Sequence, residues 1–243
     1  MTDEAIRLAK RVAAQLGCSR AEAERYIAGG GISVDGQVVE DPASRVLPAQ
    51  DVRVLPGASS EEAPPVTILL HKPAGMNSGV GARGEPALNC LTPESLAQGH
   101  GQPRFLKRHL AKLTVTNPLE TDASGLVVFT QDFRVARKLV EEGDRVEQEF
   151  IVDVSGAIKE GGLALLNHGL NFNGKPIPPM KVSWQSEHRL RFALKGVKPG
   201  LIDHMCREVG LEIVDMRRIR IGRVPMAGLQ AGQWRYLLDY ERF

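Results

Sequence analysis

The chain has 243 residues, of which 42% are hydrophobic and 25% are charged, and its formal net charge is +2. This composition is typical of a globular protein with one large core and a small module, and the weak overall charge means that any nucleic-acid binding must depend on local patches. The sequence shows neither a metal-ligand cluster, nor a disulfide framework around its three cysteines, nor an apolar segment long enough for a signal or a membrane span, so we expect a cytoplasmic monomer without metal or cofactor.

Residues 1–55 predict a compact module of two helices and a few short strands. An apolar stripe over residues 6–16 indicates the first helix. Ser19 and Glu22 have the spacing of a capping box, which indicates the start of a second helix. Asp35-Gly36 lies between two short apolar runs and is a strong signal for a two-residue hairpin turn.

A boundary is predicted at residues 56–65, PGASSEEAPP, whose composition is that of a linker, so that residues 66–243 form a second domain. Lys72 follows a short apolar run and precedes a proline, where it is either a phosphate ligand or an ordinary loop charge. The best local candidate for a nucleic-acid patch is a basic segment with Phe105 interleaved, although a solvated amphipathic surface also fits. The basic residues of this segment are Arg104, Lys107, Arg108, His109 and Lys112.

Residues 116–132, TNPLETDASGLVVFTQD, predict a polar turn followed by a buried strand. A carboxylate at the mouth of a buried strand is well placed to be held in a cleft, but these residues taken alone favour a surface turn with solvated Glu120 and Asp122. The rest of the chain shows many predicted strands and few, scattered helices. This pattern favours an α+β fold around a mixed, mainly antiparallel sheet.

The first 55 residues resemble the alpha-L RNA-binding module, a helix-helix-hairpin unit that binds RNA phosphates. The resemblance lies in the pattern RLAK, GCSRAEAERYIAGGGISVDGQVV and the following DP. It implies phosphate contacts, which fix the position of the RNA but carry little sequence information, by Arg7, Lys10, Arg11, Ser19, Arg20 and Arg25. However, residues 1–56 contain seven basic and eight acidic residues, so a solvated helix face stays open as an alternative.

The order of motifs along the whole chain resembles the RsuA-type bacterial rRNA pseudouridine synthases. The fold-determining parts, DASGLVVFTQD and RRIRIG, match most closely. The resemblance implies a pseudouridine synthase domain behind the alpha-L module, a structured ribosomal RNA as partner, and isomerase chemistry without a cofactor. It is carried by Lys72-Pro73-Ala74-Gly75 and by residues 117–132, 149–150, 197–205, 216–222 and 229–237.

The positions that carry the family's chemistry differ from its pattern. The family requires an aspartate to detach uracil from C1′ and rejoin it through C5, and Glu120 stands at that position. Phe150 stands at the position of the family's base-stacking tyrosine and lacks its hydroxyl. Asp203 falls where the family has the arginine or lysine that pairs with the catalytic aspartate, which predicts two carboxylates close together. Asp122 is a further candidate acid.

Three functions remain open on this basis. The first is an RNA-binding protein of the family in which isomerase activity is lost or weakened, because the scaffold is kept while reactive positions are replaced. The second is an active rRNA uridine isomerase with Glu120 as nucleophile. The third is a protein-interaction module without RNA binding, and its support is the net negative charge of residues 1–56.

Overall fold

The structure is a computed structural model that describes residues 4–99 and 103–243. It divides into two compact units, the first formed by residues 1–65 with 104–112 and the second by residues 66–103 with 113–243. In the described part of the chain, no helix combines the length and the apolar character that crossing a membrane requires.

The first unit contains the two predicted helices and several short strands. Its helices are α1, Leu8–Leu16, and α2, Arg20–Ala28, and its strands are β1, Ile6–Arg7, β2, Ile32–Val34, β3, Gln37–Val38, β4, Arg45–Val46, and β5, Val52–Val54. β3, β2 and β5 form an antiparallel sheet, and β1 pairs with β4. The core consists of apolar residues from both helices and from the strands, including Leu8, Val12, Ile27 and Ile32.

The local signals in the first unit are confirmed. The Ser19 hydroxyl accepts a hydrogen bond from the Glu22 N–H at 3.2 Å, and the Glu22 carboxylate accepts one from the Ser19 N–H at 2.7 Å, which completes the capping box. Asp35 and Gly36 both have positive φ, 49° and 80°, as a type I′ hairpin turn requires.

The boundary segment differs from the free linker that its composition suggests. Ala58 lies against Gly31, where an added Cβ would come within 2.6 Å of it. The Ser60 carbonyl accepts a hydrogen bond from the Arg25 side chain at 2.5 Å. Residues 57–65 therefore pack on the first unit.

The second unit is built on one mixed sheet of nine strands. Its helices are α3, Phe133–Glu141, α4, Gly162–Asn167, and α5, Leu201–Glu208. Its strands are β6, Thr67–Lys72, β7, Thr114–Thr116, β8, Ser124–Thr130, β9, Gln148–Gly156, β10, Asn171–Phe172, β11, Lys175–Pro176, β12, Lys181–Ser186, β13, Arg189–Leu194, β14, Leu211–Ile221, β15, Val224–Pro225, and β16, Trp234–Tyr236.

The strand order in the large sheet is β12-β13-β9-β14-β8-β6-β16, with β15 beside β14 and β7 beside β8. Every pairing is antiparallel except that of β14 with β8, so the expected mixed, mainly antiparallel sheet is confirmed. β6 is buried along its whole length and β8 over all but its first residue. The turn that leads into β8 is therefore attached to a deeply buried part of the unit.

Candidate active site

Glu120 lies in the turn between β7 and β8, and neighbouring hydrogen bonds fix the backbone of this turn. The buried Ser78 hydroxyl accepts from the Leu119 N–H at 2.9 Å and donates to the Leu119 carbonyl at 3.0 Å. The Thr121 carbonyl accepts from the Gly75 N–H at 2.7 Å. Because both neighbours of Glu120 are held, the start of its side chain has a defined direction.

The carboxylate of Glu120 is anchored from across the site. Its Oε1 accepts a hydrogen bond of 2.6 Å from the N–H of Gly200, which immediately precedes α5. Gly200 has a φ of 78°, a left-handed conformation that glycine adopts without strain. The loop between β13 and α5 thus contacts the turn that the sequence identified as the reactive position.

Arg218 on β14 is the buried cation of the site, with only 1% of its surface exposed. Its guanidinium donates to the Leu126 carbonyl at 2.8 Å, to Gln148 Oε1 at 3.0 Å and to the Asn117 carbonyl at 2.6 Å. Burial lowers the pKa of Arg218 to about 9, and attraction to the Glu120 carboxylate opposes that shift, so the guanidinium is charged at neutral pH.

Gly125 explains how Arg218 comes so close to β8. The two residues are partners in the parallel pairing of β14 with β8. A Cβ at Gly125 would lie 2.2 Å from the Arg218 carbonyl oxygen, and its φ is 115°. Only glycine fits there, which gives the glycine of the DASGLVVFTQD stretch a structural reason.

These groups surround a cavity of about 350 Å³. Its lining includes Glu120, Arg218, Gln148 and Phe150, and this volume is at the small end of the range for ligand pockets. The Phe150 ring is buried, and the Arg218 guanidinium carbon lies 5.9 Å from its centroid. The cavity therefore has an aromatic wall, a fixed cation and a carboxylate.

Asn117 is among the residues that line this cavity, and its side-chain oxygen is enclosed. It lies in the left-handed region with a φ of 47°, which asparagine tolerates better than most residues. In the described part of the chain, its Oδ1 is one of two buried side-chain atoms without a hydrogen-bond partner. Buried polar atoms are usually paired, so this enclosed oxygen is an exception within the turn.

Asp203 is not among the residues that line the Glu120 cavity, so the expected pair of carboxylates facing each other there was wrong. Asp203 is on the outer side of α5, where its carboxylate pairs with Arg207 at 3.1 Å. The residue of this helix that lines the cavity is Ile202. Successive helix positions differ by about 100° in direction, so counting along a motif placed Asp203 on the wrong face. The buried cation that lines the cavity with Glu120 is Arg218 of the RRIRIG motif, one of several basic residues that could supply this charge from another direction.

Lys72 is a second correction, because it is fully buried and cannot contact an RNA phosphate. Its ammonium donates to the carbonyls of Pro73, Met76 and Thr121 at 2.9, 2.8 and 3.1 Å. Burial, together with repulsion from the Arg218 guanidinium, lowers the pKa of Lys72 to about 8. The exposed Asp122 and the half-buried Glu120 attract this ammonium, so Lys72 supports the turn electrostatically.

The side chains proposed to contact phosphates in the first unit are mostly accessible. Ser19 is occupied as the cap of α2. Arg20 pairs with Glu24 at 2.9 Å, an exposed contact that contributes little to stability. The exposed members are Arg7, Lys10, Arg20, Arg25, Arg104 and Lys107, and the half-buried ones are Arg11 and Arg108.

The basic segment, residues 104–112, belongs to the first unit. Leu106 lies where a Cβ at Gly30 would come within 3.0 Å of it. The Lys107 N–H donates to Glu40 at 2.7 Å, and Arg108 donates to the Ala63 carbonyl at 2.7 Å. The segment contains four Lys or Arg and no acid, so the first unit contains eleven basic and ten acidic residues in total. The negative charge of residues 1–56 is thereby offset.

Comparisons with known proteins agree with this architecture. The profile of the S4 domain matches residues 6–52, and the profile of RNA pseudouridylate synthase matches residues 66–193. A solved structure described as a pseudouridylate synthase superposes with a TM-score of 0.61 over 96% of both chains at 18% identity, which supports the fold.

Several relatives align over nearly the whole chain. Ribosomal small subunit pseudouridine synthase A of Escherichia coli strain K12 is 25% identical over 239 residues, which cover 97% of this chain and 98% of the relative. The dual-specificity RNA pseudouridine synthase RluF of the same strain is 27% identical, with 99% of this chain and 78% of the relative covered. An uncharacterized RNA pseudouridine synthase of Aquifex aeolicus is 27% identical, with 97% and 94% covered.

Proposed function

Since the chain belongs to the RNA pseudouridylate synthase family, we propose that it binds structured RNA and isomerises a uridine slowly, with Glu120 in the role of the family's aspartate. The observation that carries this proposal is that the buried Arg218 guanidinium and the Glu120 carboxylate line the same cavity of about 350 Å³. A fixed cation of this kind stabilises a reacting anion better than water does, because its orientation is set before reaction.

The proposed reaction breaks the bond from C1′ to N1 of uracil and forms a bond from C1′ to C5. N1 gains a proton and C5 loses one, so the atoms and charges of uridine are conserved. Glu120 is the carboxylate that acts at C1′ while the ring turns. Phe150 stacks on the ring.

Slow reaction is expected because glutamate is one methylene longer than aspartate. A displacement of about 1 Å at the reacting atom costs about a hundredfold in rate. The 2.6 Å hydrogen bond from Gly200 also holds one carboxylate oxygen in place. This hydrogen bond favours a second candidate function, in which the protein binds RNA and the isomerisation is lost.

Ribosomal RNA is the proposed substrate class, because one relative is named as a ribosomal small subunit enzyme. The S4 domain match and the basic segment support RNA binding through the first unit. The protein is further proposed to act as a cytoplasmic monomer, with residues 1–55 as the RNA-binding domain, residues 66–243 as the synthase domain, and the basic segment packed with the former.

The test uses unmodified rRNA transcripts that carry tritium at uracil C5, from which isomerisation releases tritium to water. Wild type should turn over more than once, Glu120→Gln should release none, and Glu120→Asp should be faster by about a hundredfold. A rate in Glu120→Gln equal to that of wild type would eliminate Glu120 as the nucleophile. No release from wild type, with retention on rRNA that weakens steeply as salt rises, would establish the binding function instead.

A further inference from the structure

A second cavity, of about 1020 Å³, lies in the same unit as the Glu120 cavity. Asp144 and Lys198 line both cavities, so the two are adjoining. We call the larger one the lysine groove, because its lining includes Lys175, Lys181, Lys195 and Lys198. We infer that the lysine groove holds the RNA strand next to the target uridine, an inference that rests on the proposed function.

One wall of the lysine groove is a hairpin that the sequence analysis did not predict. β10 and β11 are joined by Asn173 and Gly174, whose φ values of 51° and 75° fit a type I′ turn. The register places Phe172 directly opposite Lys175. The hairpin thus presents an aromatic ring and an ammonium group as neighbours.

The segment that follows the hairpin is tied to the body of the unit. The Ile177 N–H donates to the Leu170 carbonyl at 2.9 Å, and the Met180 N–H donates to the Asn167 carbonyl at 3.0 Å. The Asn167 side chain also exchanges hydrogen bonds with the backbone of Val182 at 2.9 and 3.0 Å. This wall of the groove is therefore formed in advance of binding, which lowers the entropic cost of association.

The charge of the lysine groove suits a polyanion. Its four lysine side chains are exposed, and in the described part of the chain none forms an ion pair within 4.0 Å. The acidic residues in the lining are Asp144 and Glu147, and Glu147 is already paired with Arg220 at 2.5 Å. The groove therefore has a surplus of unpaired ammonium groups. When nucleic-acid phosphates bind such groups, counterions are released, which favours binding.

The aromatic ring makes the groove suitable for nucleic acid in particular. Phe172 contacts His204 with a centroid distance of 5.4 Å, and a 2.7 Å hydrogen bond joins His204 Nε2 to the Asn171 carbonyl. The ring is therefore held in place while it lines the groove. Cations that follow a backbone, together with an aromatic side chain on which a base can stack, are the usual elements of single-strand binding.

An acidic peptide would also be attracted by the lysines, but the position of the groove favours RNA. The loop between β13 and α5 lines both cavities, and its Gly200 N–H donates to Glu120. A strand that places its uridine at Glu120 must continue away from it, and the lysine groove is the adjoining space. A peptide has no comparable reason to bind beside this carboxylate.

The experiment measures the affinity of the full-length protein for an unmodified rRNA transcript as a function of salt. The variant Lys175→Gln/Lys181→Gln/Lys195→Gln leaves Lys198, beside the Glu120 cavity, unchanged. Each single-strand phosphate contact contributes about 0.7 to the slope of log affinity against log salt, so the slope should decrease in magnitude by about 2. The matched control is Lys159→Gln, whose side chain lies outside the groove and bonds to the Glu208 carbonyl.

A second variant, Phe172→Leu, separates stacking from charge. It should weaken binding by about tenfold and leave the salt slope unchanged, because stacking releases no counterions. An unchanged slope in the triple-lysine variant would overturn the inference. So would polyglutamate binding to wild type as tightly as RNA does, with the same loss in that variant.

These outcomes are distinct from failure of the proposed isomerisation. If wild type releases no tritium, and the triple-lysine variant has a smaller salt slope than wild type, the chemistry is refuted and the lysine groove is supported. If wild type isomerises uridine, and the triple-lysine variant has the same salt slope as wild type, only the role of the lysine groove is refuted.

Discussion

Replacing Arg218 by methionine tests whether this residue both organises the site and supports its chemistry. Methionine keeps an unbranched side chain but removes the charge and every donor. The change leaves three acceptors, the carbonyls of Leu126 and Asn117 and the Oε1 of Gln148, without the bonds of 2.6 to 3.0 Å that they now receive. The buried guanidinium is thus the group that links the turn at Asn117 to β8 and β9.

The magnitude follows from these contacts. A buried acceptor left unsatisfied costs about 1 to 3 kcal/mol, so three cost about 3 to 9 kcal/mol. Burying a guanidinium is itself unfavourable by several kcal/mol, and its removal returns part of this sum. We therefore expect Arg218→Met to lower the free energy of unfolding by about 2 to 4 kcal/mol. Tritium release should fall by at least about a hundredfold, because a preoriented cation is lost.

The assay is urea unfolding, followed by tritium release below the unfolding transition. The control is Arg217→Met, which makes the same change of charge at the next position of β14, where the arginine Nε has no hydrogen-bond partner among the described residues. We expect this control to change stability by less than about 1 kcal/mol. Arg218→Met with unaltered stability and unaltered tritium release would refute the role given to Arg218.

Three further predictions concern ionisation and backbone geometry. The Lys72 ammonium should titrate near pH 8 in 13Cε spectra of labelled lysines. Since the unfolded chain then binds more protons, the free energy of unfolding should rise from about pH 8 to about pH 10. Burial lowers the pKa of His109 to about 4, so thermal stability should fall from pH 6.5 to pH 4 in wild type more than in His109→Phe, and equal losses would contradict this. Gly125→Ala should destabilise the protein by more than about 3 kcal/mol in urea, because its Cβ would meet the Arg218 carbonyl at 2.2 Å, whereas Gly36→Ala, with open space, should cost about 1 kcal/mol.

The elements of the fold were predictable where a local signal determines them. The capping box of α2, the Asp35-Gly36 turn and the apolar run of β8 each report a short-range preference, and each was confirmed. The hairpin of β10 and β11 was missed, although Asn173-Gly174 is a strong turn signal. Its strands have only two residues each, too few to show an alternating pattern.

The site was harder to predict, because it depends on direction and burial. Glu120 was placed correctly at the mouth of a buried strand, where it lines the cavity. Lys72 was misjudged since β6 is buried on both faces, so a charged residue at its end does not reach solvent. Among the arginines of β14, the sequence does not show which one is enclosed, and only the pairing with Gly125 selects Arg218.

The packing of residues 104–112 on the first unit means that the chain passes from one unit to the other three times. Cleavage after residue 65 would therefore yield an amino-terminal piece without Leu106 to cover Gly30 and without the backbone donor of Lys107 for Glu40. Such a piece would also carry seven basic residues against ten acidic ones, a net repulsion for phosphates. RNA affinity measured on that fragment would describe a different surface from that of the intact protein.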